Sequence, residues 1–323
     1  MSLKKRLLAG SAIVAACVIA GLLLTRRSQP AVIYKGKSVE EWSLQLYLSQ
    51  DQGARDAASA ALKTLGPKAM PDIVRMLRNK DPFIRRQAWS LAPKVPMRFR
   101  KGILANVKPP RAGLYHIAAM HAIAAIGPEA RPAIPELARK LQGKDLQETW
   151  EAGTALGSIG PEAMRVLIAA LQSELPAVRQ AALLGLKEIG PEAAQAVAAV
   201  IEKLGDHDQW VRGWAAQALT SIGRPAIPQL LQTVENGTGE MRRGAAYALA
   251  GIYPSRRVAS PALLKMMNDP EPASREQAIA TLEAIHASDE AVIRAMRNAL
   301  QDSDADVRKA ATGALVELGK DYR

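Results

Sequence analysis

The chain has one cysteine, two phenylalanines and four histidines in 323 residues, and aromatic residues make up only 4% of it. A single cysteine permits no internal disulfide, so no cross-link holds the fold. A core with so few rings must be filled by Ala, Leu, Ile and Val. That points to helices packed closely through small side chains and away from a β-sandwich. There is no CxxC pair, Walker loop, hydrolase elbow or kinase signature. His116 and His121 are five apart, which splays them around a helix, whereas metal ligands on one face stand one turn apart. Asp206-His207-Asp208 has no second His or Cys nearby in sequence. Asp302-Ser303-Asp304-Ala305-Asp306 opens like a calcium loop, but Val307 and Gly313 stand where that loop needs Gly and Glu. No catalytic residue, metal site or cofactor is expected.

Charge of one sign is also scarce over most of the chain. The net charge of +12 comes from 43 Lys and Arg against 31 Asp and Glu. Residues 1–38 carry +7 with no acid, and residues 72–111 carry +9, while the 212 residues after them sum to −3. Two local features near the N-terminus therefore make the protein basic. A nucleic-acid partner is not expected, because the long remainder offers no basic face.

The first feature brackets an apolar run. Residues 7–24 contain no charge, between Lys4-Lys5-Arg6 and Arg26-Arg27. Eighteen residues make about 27 Å of helix, near the lower limit for crossing a bilayer. A cleaved signal peptide usually has a shorter apolar core and a polar exit. A lipoprotein signal is a third reading, since Val14-Ala15-Ala16 precedes Cys17, though Val18-Ile19-Ala20 continues apolar. The expectation is an uncleaved single-pass anchor with the remaining chain exported to the periplasmic side. A cytoplasm-facing array and a cleaved, secreted one are the alternatives. The flanks are too balanced for the positive-inside rule to decide.

Beyond the run, one pattern repeats. Taking Arg179 as position zero, Ala182, Leu186 and Ile189 follow at three, seven and ten, then Gly190-Pro191. The same spacing recurs from Arg55, Arg85, His116, Thr149, Arg212, Arg242, Arg275 and Arg308, which makes nine units of 30 to 33 residues. Offsets of three, seven and ten lie on one stripe of a helix. Gly-Pro dipeptides end the helix and open a second one, as in Gly160-Pro161. Each unit is then a helix pair too small to bury its own apolar face, and stacking the pairs gives an all-α solenoid.

Asp208-Gln209-Trp210-Val211-Arg212 with Ala215, Leu219 and Ile222-Gly223, and Asp304-Ala305-Asp306-Val307-Arg308 with its followers, resemble the HEAT-repeat family. The likeness is to the short bacterial units shared with phycobilisome-lyase-like proteins, and it covers roughly residues 50–323. The stretch from Tyr34 to Trp42 is similar to the junction between anchor and array in membrane-tethered bacterial HEAT proteins. The resemblance implies an α-solenoid of about nine two-helix HEAT-like repeats preceded by one N-terminal transmembrane helix, acting as a binding scaffold. It also leaves open a phycobilisome-lyase-like or DNA-glycosylase-like HEAT enzyme.

The expected organisation is a basic flank at 1–6, an anchor at 7–24 and a linker at 25–37. A capping helix at 38–50 and the repeat solenoid at 51–323 complete it. Ser38 and Glu41 have capping-box spacing and should start a helix whose Val39, Trp42 and Leu46 cover the first repeat.

The zero position holds Arg55, Arg85, Arg179, Arg212, Arg242, Arg275 and Arg308. An acid stands four places earlier in six units, including Asp51, Asp81, Asp145, Asp208 and Asp304. The expectation is a structural ladder, in which loop carboxylates cap helices and pair with Arg, weakest at His116 and Thr149. Candidate partner-binding residues are the basic Arg98, Arg100, Lys101, Lys108 and Arg111, together with Trp150 and Trp210. The basic group reads equally as a solvated loop or as a patch for a partner or anionic lipid headgroups. The functional expectation is a membrane-anchored, non-catalytic scaffold for a protein partner or cell-envelope component, with a peripheral anionic-lipid-binding module as an alternative.

Overall fold

The computed structural model describes residues 32–81, 112–252 and 256–319. Residues 1–31, with the expected anchor, lie outside the described residues, as do Arg85, Arg98, Arg100, Lys101, Lys108 and Arg111. Among the described residues no helix is long and apolar enough to cross a membrane.

The expected linker ends in a small hairpin, β1 (Ile33–Tyr34) paired antiparallel with β2 (Lys37–Ser38). Lys35 and Gly36 both take positive φ, 48° and 77°, as a tight two-residue turn requires. Ser38 then caps α1 (Val39–Leu48). Its hydroxyl accepts from the Glu41 N–H at 3.2 Å, and the Glu41 carboxylate accepts from the Ser38 N–H at 2.7 Å. Trp42 is buried and donates its indole N–H to the Tyr34 carbonyl at 3.0 Å, which fastens the hairpin to the helix.

Helix pairs follow in sequence. They are α2 (Gln52–Leu65) with α3 (Met70–Arg78), α4 (Ala112–Ile126) with α5 (Ile134–Leu141), and α6 (Leu146–Ile159) with α7 (Met164–Ala170). Next come α8 (Pro176–Ile189) with α9 (Val197–Glu202), and α10 (Gln209–Ile222) with α11 (Ile227–Asn236). Then α12 (Gly239–Ala250) pairs with α13 (Arg256–Met266), and α14 (Pro272–Ala284) with α15 (Glu290–Ala299), before α16 (Ala305–Glu317) ends the array. The residues three and seven places after position zero are fully buried in every described unit, from Ala58 and Leu62 to Ala311 and Leu315. With buried second-helix residues such as Ile73, Leu137, Leu167 and Leu230, this stripe forms one core that runs from unit to unit. Leucine-to-alanine changes along it should each cost about 2–5 kcal/mol.

The turn between paired helices needs a left-handed residue. Gly66, Gly127, Gly160, Gly190 and Gly223 supply it, and His286 takes the same place with φ 50° in the unit of Arg275.

One stacking relation departs from the order of the repeats. The helices of the Arg55 unit, α2 and α3, pack directly on α4. Arg78 on α3 pairs with Glu136 on α5 at 2.5 Å, and the Asn79 carbonyl lies 2.7 Å from His116 Nε2. The units framed on Arg55 and His116 are therefore spatial neighbours, although the Arg85 frame stands between them in sequence. Helix α1 also packs on both α2 and α4, so it covers the first unit and reaches the second.

Candidate functional site

Five of the six described position-zero arginines bond within the fold. Arg275 donates through Nη1 to the Asp269 and Pro270 carbonyls at 2.9 and 3.2 Å. Its other nitrogens make a two-point contact with Asp302, at 2.8 Å from Nε and 2.6 Å from Nη2. Arg179 and Arg242 keep a one-point version of it through Nη2, pairing with Asp206 at 2.6 Å and Asp269 at 2.7 Å. Arg212 keeps the carbonyl half, donating to Asp206 O at 2.9 Å, and faces Glu240 at 3.3 Å. Arg308 donates to the Asp302 and Ser303 carbonyls only, and Arg55 is exposed with no side-chain bond among the described residues.

Arg179, Arg242 and Arg275 thus clamp their own entry loop and the carboxylate of the next unit's loop. That carboxylate stands six places before the next position zero. The acids four places before do different work: Asp51, Asp145, Asp208 and Asp304 cap α2, α6, α10 and α16 through backbone N–H groups. Asp81 accepts from the Ala112 N–H at 2.8 Å. The ladder consequently has two acid sets, and the pairing set was missed in the sequence. Its signal was present, because Asp206, Asp269 and Asp302 share one frame position. With Arg179, Arg242 and Arg275 each holding a carboxylate, the middle of the row is already neutralised.

Where His116 and Thr149 replace Arg, a different cluster forms. His116 is buried with Nδ1 2.6 Å from Glu148 Oε1, and Lys140 donates to Glu148 Oε2 at 3.0 Å. Burial alone would raise the Glu148 carboxyl, but the bonds from His116 and Lys140 outweigh it and hold the group below the usual range. Thr149 is buried and turns its hydroxyl back to the Asp145 carbonyl at 2.9 Å.

The exposed side of the first helices carries the aromatic residues. Trp150 on α6 and Trp214 on α10 meet with ring centroids 5.5 Å apart, across the intervening α8. Two units separated by a third touch here because two long indole side chains reach over a closely spaced pair of helices. Glycine permits the close spacing. A Cβ on Gly185 would lie 2.7 Å from the Gly153 carbonyl, and one on Gly157 would lie 2.7 Å from the Gly185 carbonyl, so α6 and α8 meet backbone to backbone. Lys187 Nζ lies 5.6 Å from the Trp214 ring centroid. Beyond it, Tyr247 stands 55% exposed between hollows of about 390 and 300 Å³ that share Gln217. Trp210 is 64% exposed one turn before Trp214 and makes no ring contact among the described residues. Of the predicted partner-binding residues, the structure therefore places Trp150 in the aromatic bridge and leaves Trp210 open to solvent. Trp214, half-buried against the core and packed between repeats, and the exposed Tyr247 join the face.

Among the described residues no group of His, Cys, Asp and Glu could hold a metal ion.

Comparison with known proteins adds to this geometry. A phycobilisome maturation protein of Synechococcus elongatus is 34% identical over 136 residues, covering 38% of this chain. The match spans 64% of that relative's own length. The solved structure of Kap121p has the same fold, with TM-score 0.51 at 13% identity over 87% of this chain and 41% of that one. The karyopherin Kap121p bound to the extreme C-terminus of the protein phosphatase Cdc14p gives TM-score 0.50 with the same identity and coverage. The sequence family described as HEAT repeats matches residues 164–250 and 260–321. The chain is therefore an all-helical solenoid of repeats, similar over those residues to the HEAT-repeat family.

Proposed function

We propose that the chain is a non-catalytic HEAT-repeat scaffold, tethered to a membrane through residues 7–24, that docks a protein partner on the aromatic face of its first helices. The observation that carries the docking reading is the Trp150–Trp214 bridge across α8. Half-buried rings, with Lys187, Gln217 and Tyr247 beside them around a surface hollow, are of the kind from which protein interfaces draw most of their affinity. The ladder arginines and capping acids are committed to the fold, which favours a scaffold over an enzyme. The tether rests on the length of the charge-free run and its basic flanks. The phycobilisome maturation relative supports a partner that is itself a protein under maturation.

Two measurements test the reading. A photo-crosslinking residue at Trp210 of the full chain, in its own cells, should capture a protein that Trp214→Ala abolishes while the thermal transition is retained. Equal capture from Arg294, exposed on α15, would refute the docking face. For the tether, the full chain should resist alkaline extraction from membranes, and removal of residues 7–24 should release it; release of both would refute anchoring.

A further inference from the structure

We propose that a second docking site lies along α7, on the side of the array formed by the second helices, and that it takes a basic amphipathic helix of a partner protein. The second helices here are short, with 8, 7 and 6 residues in α5, α7 and α9. They do not close on one another as α6 closes on α8, and a groove of about 1520 Å³ remains between their turns. Ile134, Val166 and Ile168 line it and stay partly open to solvent. Its rim carries Glu162, Glu188 and Glu192 against one base, Arg165.

None of these three carboxylates makes an ion pair or hydrogen bond among the described residues, whereas Glu136, Glu148, Asp206, Glu240 and Asp269 are all paired. The acidic stretch is also bounded. Glu162 and Glu192 hold the third place of the Gly-Pro turn, as Glu129 does one unit earlier, and Lys68 and Arg224 stand in the turns beyond either end. An apolar floor with an uncompensated acidic rim is complementary to a helix with Leu-type residues on one stripe and Lys or Arg beside it. The apolar floor argues against a free cation, and the carboxylates argue against an uncharged or acidic segment. This groove shares no residue with the aromatic face, so the two sites fail independently.

The test uses the full chain in phosphatidylcholine nanodiscs, with empty discs subtracted. The probe is a fluorescein-labelled 18-residue Leu/Lys peptide of amphipathic helical pattern, read by anisotropy. Substituting Glu162→Gln, Glu188→Gln and Glu192→Gln together should weaken binding about tenfold, as three surface ion pairs predict. Ile168→Asp should weaken it similarly. Glu174→Gln, Glu235→Gln and Glu290→Gln together, which remove the same charge elsewhere, should change it less than about twofold. All substituted sites are at least partly exposed, and an unchanged thermal transition checks the fold. Equal weakening by the two triple variants would overturn the proposal, as would equal binding of a scrambled or Leu/Glu peptide. A tenfold gain on removing residues 82–111 would overturn it too, by making the chain's own basic stretch the occupant.

Discussion

The carboxylate of Asp81 accepts a hydrogen bond at 2.8 Å from the backbone N–H of Ala112, thirty-one positions later in the chain. Ala112 occupies the place, four before His116, where other units carry their own capping acid. The cap is thus supplied from the end of the preceding described unit. Together with Arg78–Glu136 and the Asn79–His116 contact, it joins two units that are not adjacent in the repeat order.

Excising residues 82–111 and joining Asp81 to Ala112 through a four-residue Gly/Ser linker should therefore leave the stack intact. Four residues reach about 13 Å, ample for two ends already in hydrogen-bond contact. The expected result is an unchanged far-UV helical signal per remaining residue and a single unfolding transition. Asp81→Ala should lower stability by about 1 kcal/mol in a denaturant titration, the usual worth of a lost cap. Loss of the cooperative transition on excision would refute direct stacking.

The close approach of α6 and α8 makes an opposite pair of predictions for glycine. Gly185→Ala puts a methyl group 2.7 Å from the Gly153 carbonyl and 2.8 Å from the Leu167 side chain, and the helices must separate. A cost of about 1–3 kcal/mol is expected, with loss of near-UV coupling between Trp150 and Trp214. Gly213→Ala, on α10 with nothing within 4 Å of the added carbon, should instead stabilise by about 0.5–1 kcal/mol. Thermal melts of the two variants should move in opposite directions.

These relations show what could be read from the sequence. The stripe of Ala182, Leu186 and Ile189 was legible because helical periodicity depends only on local spacing, and so were the caps at Asp51, Asp145, Asp208 and Asp304. The partner of each arginine was not, because Arg179 and Asp206 meet through stacking, which no window of one unit contains. The Trp150–Trp214 bridge and the groove along α7 depend on how neighbouring units are spaced. That spacing is set by close contacts such as Gly153 against Ala181, which become visible only when the helices are placed.

The arginine clamp makes a quantitative distinction between units. Arg275 has two carbonyl bonds and a two-point contact with Asp302, with both side chains largely buried, whereas Arg308 has only carbonyl bonds and is exposed. Arg275→Ala should cost about 2–3 kcal/mol and Arg308→Ala less than about 1 kcal/mol. A double-mutant cycle of Arg275→Ala with Asp302→Ala should give a favourable coupling above about 0.5 kcal/mol. Zero coupling would mean that the pair contributes nothing beyond its carbonyl bonds.

Acid should destabilise the array, and the sign follows from four carboxylates. The bond from Arg275 holds Asp302 below the usual range, and the bond from Arg243 does the same for Glu271. Burial would raise Asp206 and Glu148, but Arg179 in one case, and His116 with Lys140 in the other, outweigh it and lower both. Groups depressed on folding bind protons more weakly in the folded chain, so the unfolded chain takes up more protons as pH falls. Their stabilisation is complete above about pH 5 and is lost progressively below about pH 4. Denaturant midpoints measured from pH 7 to pH 3 should fall accordingly. Glu148→Gln isolates one contribution. At pH 7 it leaves His116 and Lys140 facing an uncharged amide and should be clearly less stable than the parent chain. As pH falls the parent's own carboxyl becomes neutral, so the two midpoints should converge. Parallel curves down to pH 3 would show that Glu148 stabilises the unit by packing and not by its charge.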